Sequence, residues 1–530
     1  MEKKQNSAEG SKTLRSAMVI TLIIIVSKVV GFLRELVFAA YFGTGILSDA
    51  YTNANTIVNL FILLFSACIS STFIPIYTKT LREEGKRRAN RYTNSILTIF
   101  TLCGVALGLL GYFFAPQMCE LLMPQLAPAA QKGTELYASQ YEKLMLTASL
   151  AKIMFPSMAF AACTGVFTSL LNANERFIPE QIIGFALSFC VITACVAFTD
   201  AGITAVAIAT AITYVLQLLI VLPFTRGIYR FEPNLSGCSG KVKRTFALAL
   251  PAILSMALDE VNHLVDKNVG IWLGDGPNSA LNYAYRLITL VLGVLVVPIT
   301  TIMFSKLSQY AARGEKRRIL DTTKECLEVL AVIVLPVMVL AALQSRDVIR
   351  FLYFRGAFDE NSLAMTSDAF FFYIIGVLGF AWRNFLVRVF YSVQDTSAPM
   401  RIGILSVGVN ILLNVPLAKV MGVGGLTLAT SISGALGAAL MLARLRRTMG
   451  RMRFGDTLLQ LCKLVVAVSM AGAVTLALSG VIELATRSLF LRLLGATAGG
   501  LAVYAGMVVM LRVRQVKTIV SMIRGRVRRS

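Results

Sequence analysis

Runs of about twenty consecutive apolar residues recur from one end of this chain to the other, and nothing else constrains its fold as tightly. As an α-helix, a run of that length covers ~30 Å of hydrocarbon, where every backbone polar group must be satisfied within its own segment. The stretch "SAMVITLIIIV" at 16–26 belongs to one such run. Barrel strands would alternate over about ten residues instead, and these runs do not. Only 15% of the 530 residues are charged and 56% are hydrophobic, whereas a soluble domain averages about 25% charged. The chain reads as an all-α polytopic membrane protein.

Run length places about fourteen spans, near 16–42, 51–78, 93–114, 143–171, 180–199, 202–224, 245–270, 280–305, 325–344, 366–392, 399–420, 424–444, 457–481 and 489–511. With the N-terminus inside and the loops alternating, the inner segments include "KTLREEGKRRANR", "KLSQYAARGEKRRILDTTK", "RLRRTMGRMRF" and the tail "RVRQVKTIVSMIRGRVRRS". The inner segments together hold most of the 51 Lys and Arg, the bias of cytoplasmic loops. An even number of spans with both termini cytoplasmic follows. The net charge of +23 is thus dispersed among loops, which argues against a nucleic-acid partner. Nine scattered cysteines with no CxxC pair predict neither disulfides nor a metal centre. No small-residue cleavage site precedes Lys28, so the first span is read as uncleaved.

The chain also echoes itself. "GKRRANRYTNSIL" returns as "GEKRRILDTTKECL", and "LLNANERFIPEQIIG" as "FYSVQDTSAPMRIG", each about 220–230 residues later. Both echoes carry span n onto span n+6, an even shift, so the halves share one orientation. That is a parallel repeat about an axis along the membrane normal, with a substrate path expected between the halves. The predicted organisation is a cytoplasmic N-terminus (1–15), an N-lobe of spans 1–6 (16–226) and a C-lobe of spans 7–12 (241–448). Spans 13–14 (455–512) and a basic cytoplasmic tail (513–530) complete it.

Charges inside spans cost about 2.5–3.5 kcal/mol each at mid-depth and so point to function. In span 1, Lys28 and Glu35 share one helix face, while Ser27 and Arg34 share another about 100° away. Lys143, Lys152, Lys419 and Lys463 lie near span ends, where they can snorkel to the interface. Span 7 carries Asp259, Glu260, His263, Asp266 and Lys267, span 8 opens with Arg286, and span 10 carries Arg383 and Arg388. Asn410 and Asn414 share a face of span 11, and Thr430 follows on span 12. With Asp266 they form either an oxygen-rich cation site or a set of interhelical hydrogen bonds. In "LSDAY", Ser48 or Asp49 would cap span 2 or make gating contacts. Ser27, Glu35, Asp49 and Asn55 are grouped as gating or cavity residues. No nucleophile–base pairing, phosphate loop or metalloprotease motif appears, so a transporter rather than an enzyme is expected.

The stretch "SKVVGFLRELVFAAYFGTGILSDAY" resembles the opening of the MurJ (MviN) family of lipid II flippases. That family belongs to the multidrug/oligosaccharidyl-lipid/polysaccharide (MOP) transporter superfamily. The resemblance continues through "FIPIYTK", "LLNANERFIP", "ALNYAYRLITLVLGVLVVPI", "FLYFRGAFDE" and "FYSVQDTSAPMRIG", covering about residues 15 to 450. It implies a MATE-like fold and movement of undecaprenyl-diphosphate-linked disaccharide-pentapeptide across a bacterial cytoplasmic membrane by alternating access. The family's paired span-1 arginines fall on Lys28 and Arg34, its loop aspartate on Asp49 and its span-8 arginine on Arg286. The cations of this set would bind the diphosphate in a central cavity. A further family arginine aligns with Ile62, and the acidic residue after it with Ala67. The sodium pattern of some members falls on Asp266, Asn410, Asn414, Leu426 (through its carbonyl) and Thr430; no other cofactor is implied. Expected partners are lipid II, anionic membrane lipids and cell-wall synthesis proteins. The rival readings are a flippase for another undecaprenyl-linked oligosaccharide, a cation-coupled drug exporter of the superfamily, and a non-transporting membrane scaffold.

Overall fold

The computed structural model describes residue 23 and the ranges 26–127, 135–232, 239–450, 455–486 and 488–515. The expected N-terminus 1–15, the start of the first span and most of the basic tail lie outside the described residues. All regular elements among the described residues are helical. The chain divides into two compact units, one comprising Met1–Ser279 with Gly356–Phe358, the other Ala280–Arg355 with Asp359–Ser530.

The first unit holds α1 (26–42), α2 (Ile46–Phe113), α3 (Ala115–Leu122), α4 (Glu135–Met154), α5 (Met158–Ala173), α6 (Ile178–Ala197), α7 (Gly202–Val221) and α8 (Ser239–Trp272). α2 is two helices joined at Gly85, whose φ of 82° and ψ of 175° are not helical. A straight helix would hold Phe73 and Tyr92 roughly 28 Å apart. Their rings instead stack at 5.5 Å with a 15° interplanar angle, so the chain doubles back at Gly85. The returning half buries Tyr92, Ile96 and Phe100 with Phe73 against Val166, Phe167 and Leu170 of α5. Further along it, Gly104, Gly108 and Gly111 face the α4–α5 junction at Phe155–Ser157. A Cβ there would lie 2.9 Å from Met158 O, 3.0 Å from Phe155 O and 2.1 Å from the Phe155 ring, respectively. Small residues thus let two backbones approach where lipid supplies no hydrophobic drive of its own. α8 packs on α2 in this unit, with Tyr92 and Thr245 hydroxyls 2.8 Å apart. The compact unit therefore includes one helix that the repeat groups with the later spans.

The second unit holds α9 (Pro277–Val291) from Ala280 onward, a π-turn at Leu292–Val296, α10 (Val297–Ala312), α11 (Lys316–Leu343), α12 (Ser345–Tyr353), α13 (Glu360–Ser392), α14 (Ser397–Met449), α15 (Gly455–Ala485) and α16 (Leu489–Met510). α13 and α14 pack through small residues: a Cβ on Gly376 would meet Ser431 Oγ at 2.2 Å. α15 and α16 join α11 in a common core of Ala331, Leu335, Ala467, Ala471 and Tyr504, and the Tyr504 hydroxyl donates to Val332 O at 2.7 Å.

The repeat is written in the backbone as well as the sequence. Glu175 and Gln394 both adopt the left-handed region, at φ 61° and 63°, a conformation uncommon outside glycine. Each follows a helix closed by a six-to-one bond, Arg176 N to Leu171 O and Asp395 N to Phe390 O, the Schellman arrangement. Gly202 (φ 56°, ψ −141°) separates α6 from α7. Gly422 (φ 57°, ψ −132°) interrupts α14 in the same conformation, so α14 also contains two spans. Among the described residues ten helices are long and apolar enough to cross a membrane, against the fourteen expected. Part of the shortfall lies in pairs of spans merged across Gly85 and Gly422. α8 is also not among the ten.

Candidate functional site

The charged half of the first span is helical, and its side chains differ in exposure. Lys28 is exposed, Arg34 half-buried and Glu35 buried. Arg34 Nη2 donates to Glu35 Oε1 at 2.6 Å, so the carboxylate expected to share a face with Lys28 is engaged by its chain neighbour. Ser27 lies against α6, where a Cβ on Gly184 would come within 2.9 Å of its hydroxyl. A polar chain continues on α2 and α7. Asn59 Nδ2 donates to Asn55 Oδ1 at 3.0 Å, the Tyr214 hydroxyl donates to Asn59 Oδ1 at 3.1 Å, and the Tyr51 and Thr210 hydroxyls lie 2.9 Å apart. Lys267 on α8 donates to Thr56 Oγ1. Tyr51, Asn59 and Tyr214 escaped the sequence reading because tyrosines in apolar runs look like packing residues. The i, i+4 spacing of Asn55 and Asn59 was the available signal. In the second unit Arg286 is exposed on the third turn of α9.

Asp49 organises the corner between α1 and α2. α2 is capped by its own Gly45–Ser48 turn, in which Ser48 Oγ accepts from Gly45 N at 3.0 Å. Asp49 caps a different stretch of chain, the entry into α9. Its carboxylate, 0% exposed, accepts from Gly276 N and Ser279 N at 2.8 Å each and from Ser279 Oγ at 2.7 Å. Amides opening a helix carry partial positive charge that favours a carboxylate. Asn278 Nδ2 donates to Asn53 Oδ1 at 2.7 Å alongside. Lys143, expected to snorkel, is buried here with Nζ 3.4 Å from Asp49 Oδ2. The segment Gly356–Phe358 completes the corner: Ala357 N donates to Ala40 O at 2.7 Å. Gly43 (φ 53°) and Gly356 (φ 61°) fit because a Cβ on either would meet a carbonyl oxygen at about 2.2 Å. Three of the quoted sequence stretches, "FGTGILSDAY", "ALNYAY" with its preceding loop, and "RGAFDE", thus meet or begin at this corner.

The residues of the sodium pattern lie in both units. Asp266 is buried in the first. In the second, Asn414 Nδ2 donates to Asn410 Oδ1 at 3.0 Å, Asn410 Nδ2 to Thr430 Oγ1 at 3.2 Å, and Thr430 Oγ1 to Leu426 O at 3.0 Å. These neutral oxygens suit a hard cation, and the same ladder also serves as interhelical hydrogen bonding.

Comparison with known proteins places this geometry in context. A family model described as "Lipid II flippase MurJ" matches residues 38–495. A "Probable lipid II flippase MurJ" of Rhizobium meliloti (strain 1021) is 27% identical over 508 residues, 90% of each chain. Its counterpart from Thermotoga maritima is 26% identical, covering 91% of this chain and 94% of the other. Among solved structures, a lipid II flippase MurJ in an inward closed conformation superposes with a TM-score of 0.76 at 22% identity, covering 93% of this chain and 99% of that one. An inward-facing multidrug MATE transporter of the MOP superfamily gives 0.65 at 14% identity, covering 80% and 94%. The fold is that of the MurJ and MATE transporters, and with the family match spanning most of its length, the chain belongs to the MurJ lipid II flippase family.

Proposed function

We propose that this protein carries lipid II from the inner to the outer leaflet of the bacterial cytoplasmic membrane by alternating access, without covalent chemistry. The observation that carries this reading is the family match over residues 38–495. Lys28 and Arg34 of α1 and Arg286 of α9 neutralise the substrate's diphosphate. Arg34 gives one terminal nitrogen to Glu35, and its remaining N–H donors are available to phosphate oxygens. Glu35 therefore orients the guanidinium before substrate arrives. Ser27 and Asn55 line the path. Asp49 latches the outer end by holding the entry into α9, and transport requires that latch to release. Asn410, Asn414, Leu426 and Thr430 would supply neutral oxygens to a sodium ion. Both termini are cytoplasmic, and the charge of the basic tail would favour anionic lipids by about 1 kcal/mol per well-placed basic residue.

The test is depletion in the native host followed by an assay of lipid II exposed on the outer leaflet. Depletion is expected to abolish exposure and the intact gene to restore it, while Arg34→Ala and Arg286→Ala should not. Normal exposure after depletion, in a host with no second flippase, would overturn the proposal.

A further inference from the structure

Lys143 of α4 takes part in the corner around Asp49, yet the transport reading gives it no role. It is 6% exposed, and its ammonium has three protons to place. Three oxygens surround it: Gly274 O at 2.9 Å, Asp275 Oδ1 at 2.9 Å and Asp49 Oδ2 at 3.4 Å. The two shorter contacts run to the loop between α8 and α9, the same loop whose Gly276 and Ser279 are held by Asp49. The loop is therefore fastened twice, once to α2 by a carboxylate and once to α4 by an ammonium. The two fasteners also compensate each other's charge. Releasing the loop would cost Lys143 both of its shorter contacts and leave it only Asp49.

We infer that Lys143 is a positioning residue for the Asp49 latch: it clamps the loop at Gly274 and Asp275 and neutralises the buried carboxylate, so that it holds the outer end shut. This inference rests on the reading of Asp49 as a latch. Removing one partner of a buried ion pair is strongly destabilising because the other charge is left uncompensated. Here that penalty falls on the seated loop, which loses the clamp as well, so the bias is toward opening.

The experiment uses the full chain in membranes, with its nine native cysteines replaced and Ala50→Cys as reporter. Ala50 is 0% exposed beside Asp49. Labelling by a membrane-impermeant maleimide from outside reports opening. Lys143→Met should raise the labelling rate by about tenfold or more. Lys143→Arg, which keeps the charge, should restore a rate near the parent's. Asp275→Asn, which leaves the contacts to Gly274 and Asp49, should fall between them. Thermal unfolding of each purified variant separates opening from loss of fold, because a variant that merely unfolds loses its melting transition. A folded Lys143→Met protein that labels like the parent overturns the inference, and so does a Lys143→Arg protein that labels like Lys143→Met. Asp49→Asn tests the latch itself. If it leaves labelling unchanged while Lys143→Met raises it, the clamp stands and the role given to Asp49 falls.

Discussion

Arg34 and Lys28 show how much a single side chain's chemistry can matter where net charge is unchanged. Arg34 is held by Glu35 through one nitrogen, and a planar fork can serve that carboxylate and a phosphate at once, which a lysine's compact ammonium does less well. Lys28 is exposed and stands where the resemblance implies an arginine. Arg34→Lys is therefore expected to fail or nearly fail in a depletion-complementation assay, whereas Lys28→Arg should complement fully. Equal complementation by both would remove the distinction between a fork and a point charge. The charges of α1 were legible in the sequence because they interrupt an apolar run. The partners of Asp49 were not, because Lys143 and Ser279 lie 94 and 230 residues away along the chain. No local pattern reports such a pairing, and Lys143 near a span end looks like any interfacial lysine.

The helices themselves were largely legible, since run length and polarity are local properties. What the runs could not show is where two spans are joined by so little chain that helical hydrogen bonding is barely interrupted, as at Gly85 and Gly422. Gly422 and Gly356 separate two reasons for glycine. Both have positive φ, but a Cβ on Gly422 meets nothing within 4 Å, whereas one on Gly356 would lie 2.1 Å from Ala40 O. Gly422→Ala should cost only the penalty of a sparsely populated positive-φ backbone, about 1–3 kcal/mol. Gly356→Ala should cost more, because the segment carrying Ala357 must also leave Ala40. Thermal unfolding of the two purified variants should therefore show the larger drop for Gly356→Ala. The reverse order would mean that the Gly356–Phe358 segment does not hold its place on α1 in the membrane.

At the scale of the chain, the sequence echoes imply a repeat that carries six spans onto six, and an even shift would give both copies one orientation. The left-handed turns at Glu175 and Gln394 occupy equivalent places in the two copies, as do Gly202 and Gly422 with nearly equal backbone angles. A hairpin of helices repeated with the same turn must present that turn to the same side of the membrane if the copies are parallel. If most basic residues lie in inner loops, that side is expected to be cytoplasmic for Glu175 and Gln394. The same assignment puts the joins near Asp200 and Val420 outside. All four residues are exposed, so each accepts a cysteine without disturbing a core. In a cysteine-free background, Glu175→Cys and Gln394→Cys should react with an impermeant thiol reagent only in inside-out vesicles. Asp200→Cys and Val420→Cys should react only in right-side-out ones. Reaction of Glu175→Cys and Gln394→Cys from opposite faces would make the repeat inverted rather than parallel. The pairing of spans n and n+6, and with it the assignment of both termini to the cytoplasm, would then have to be abandoned.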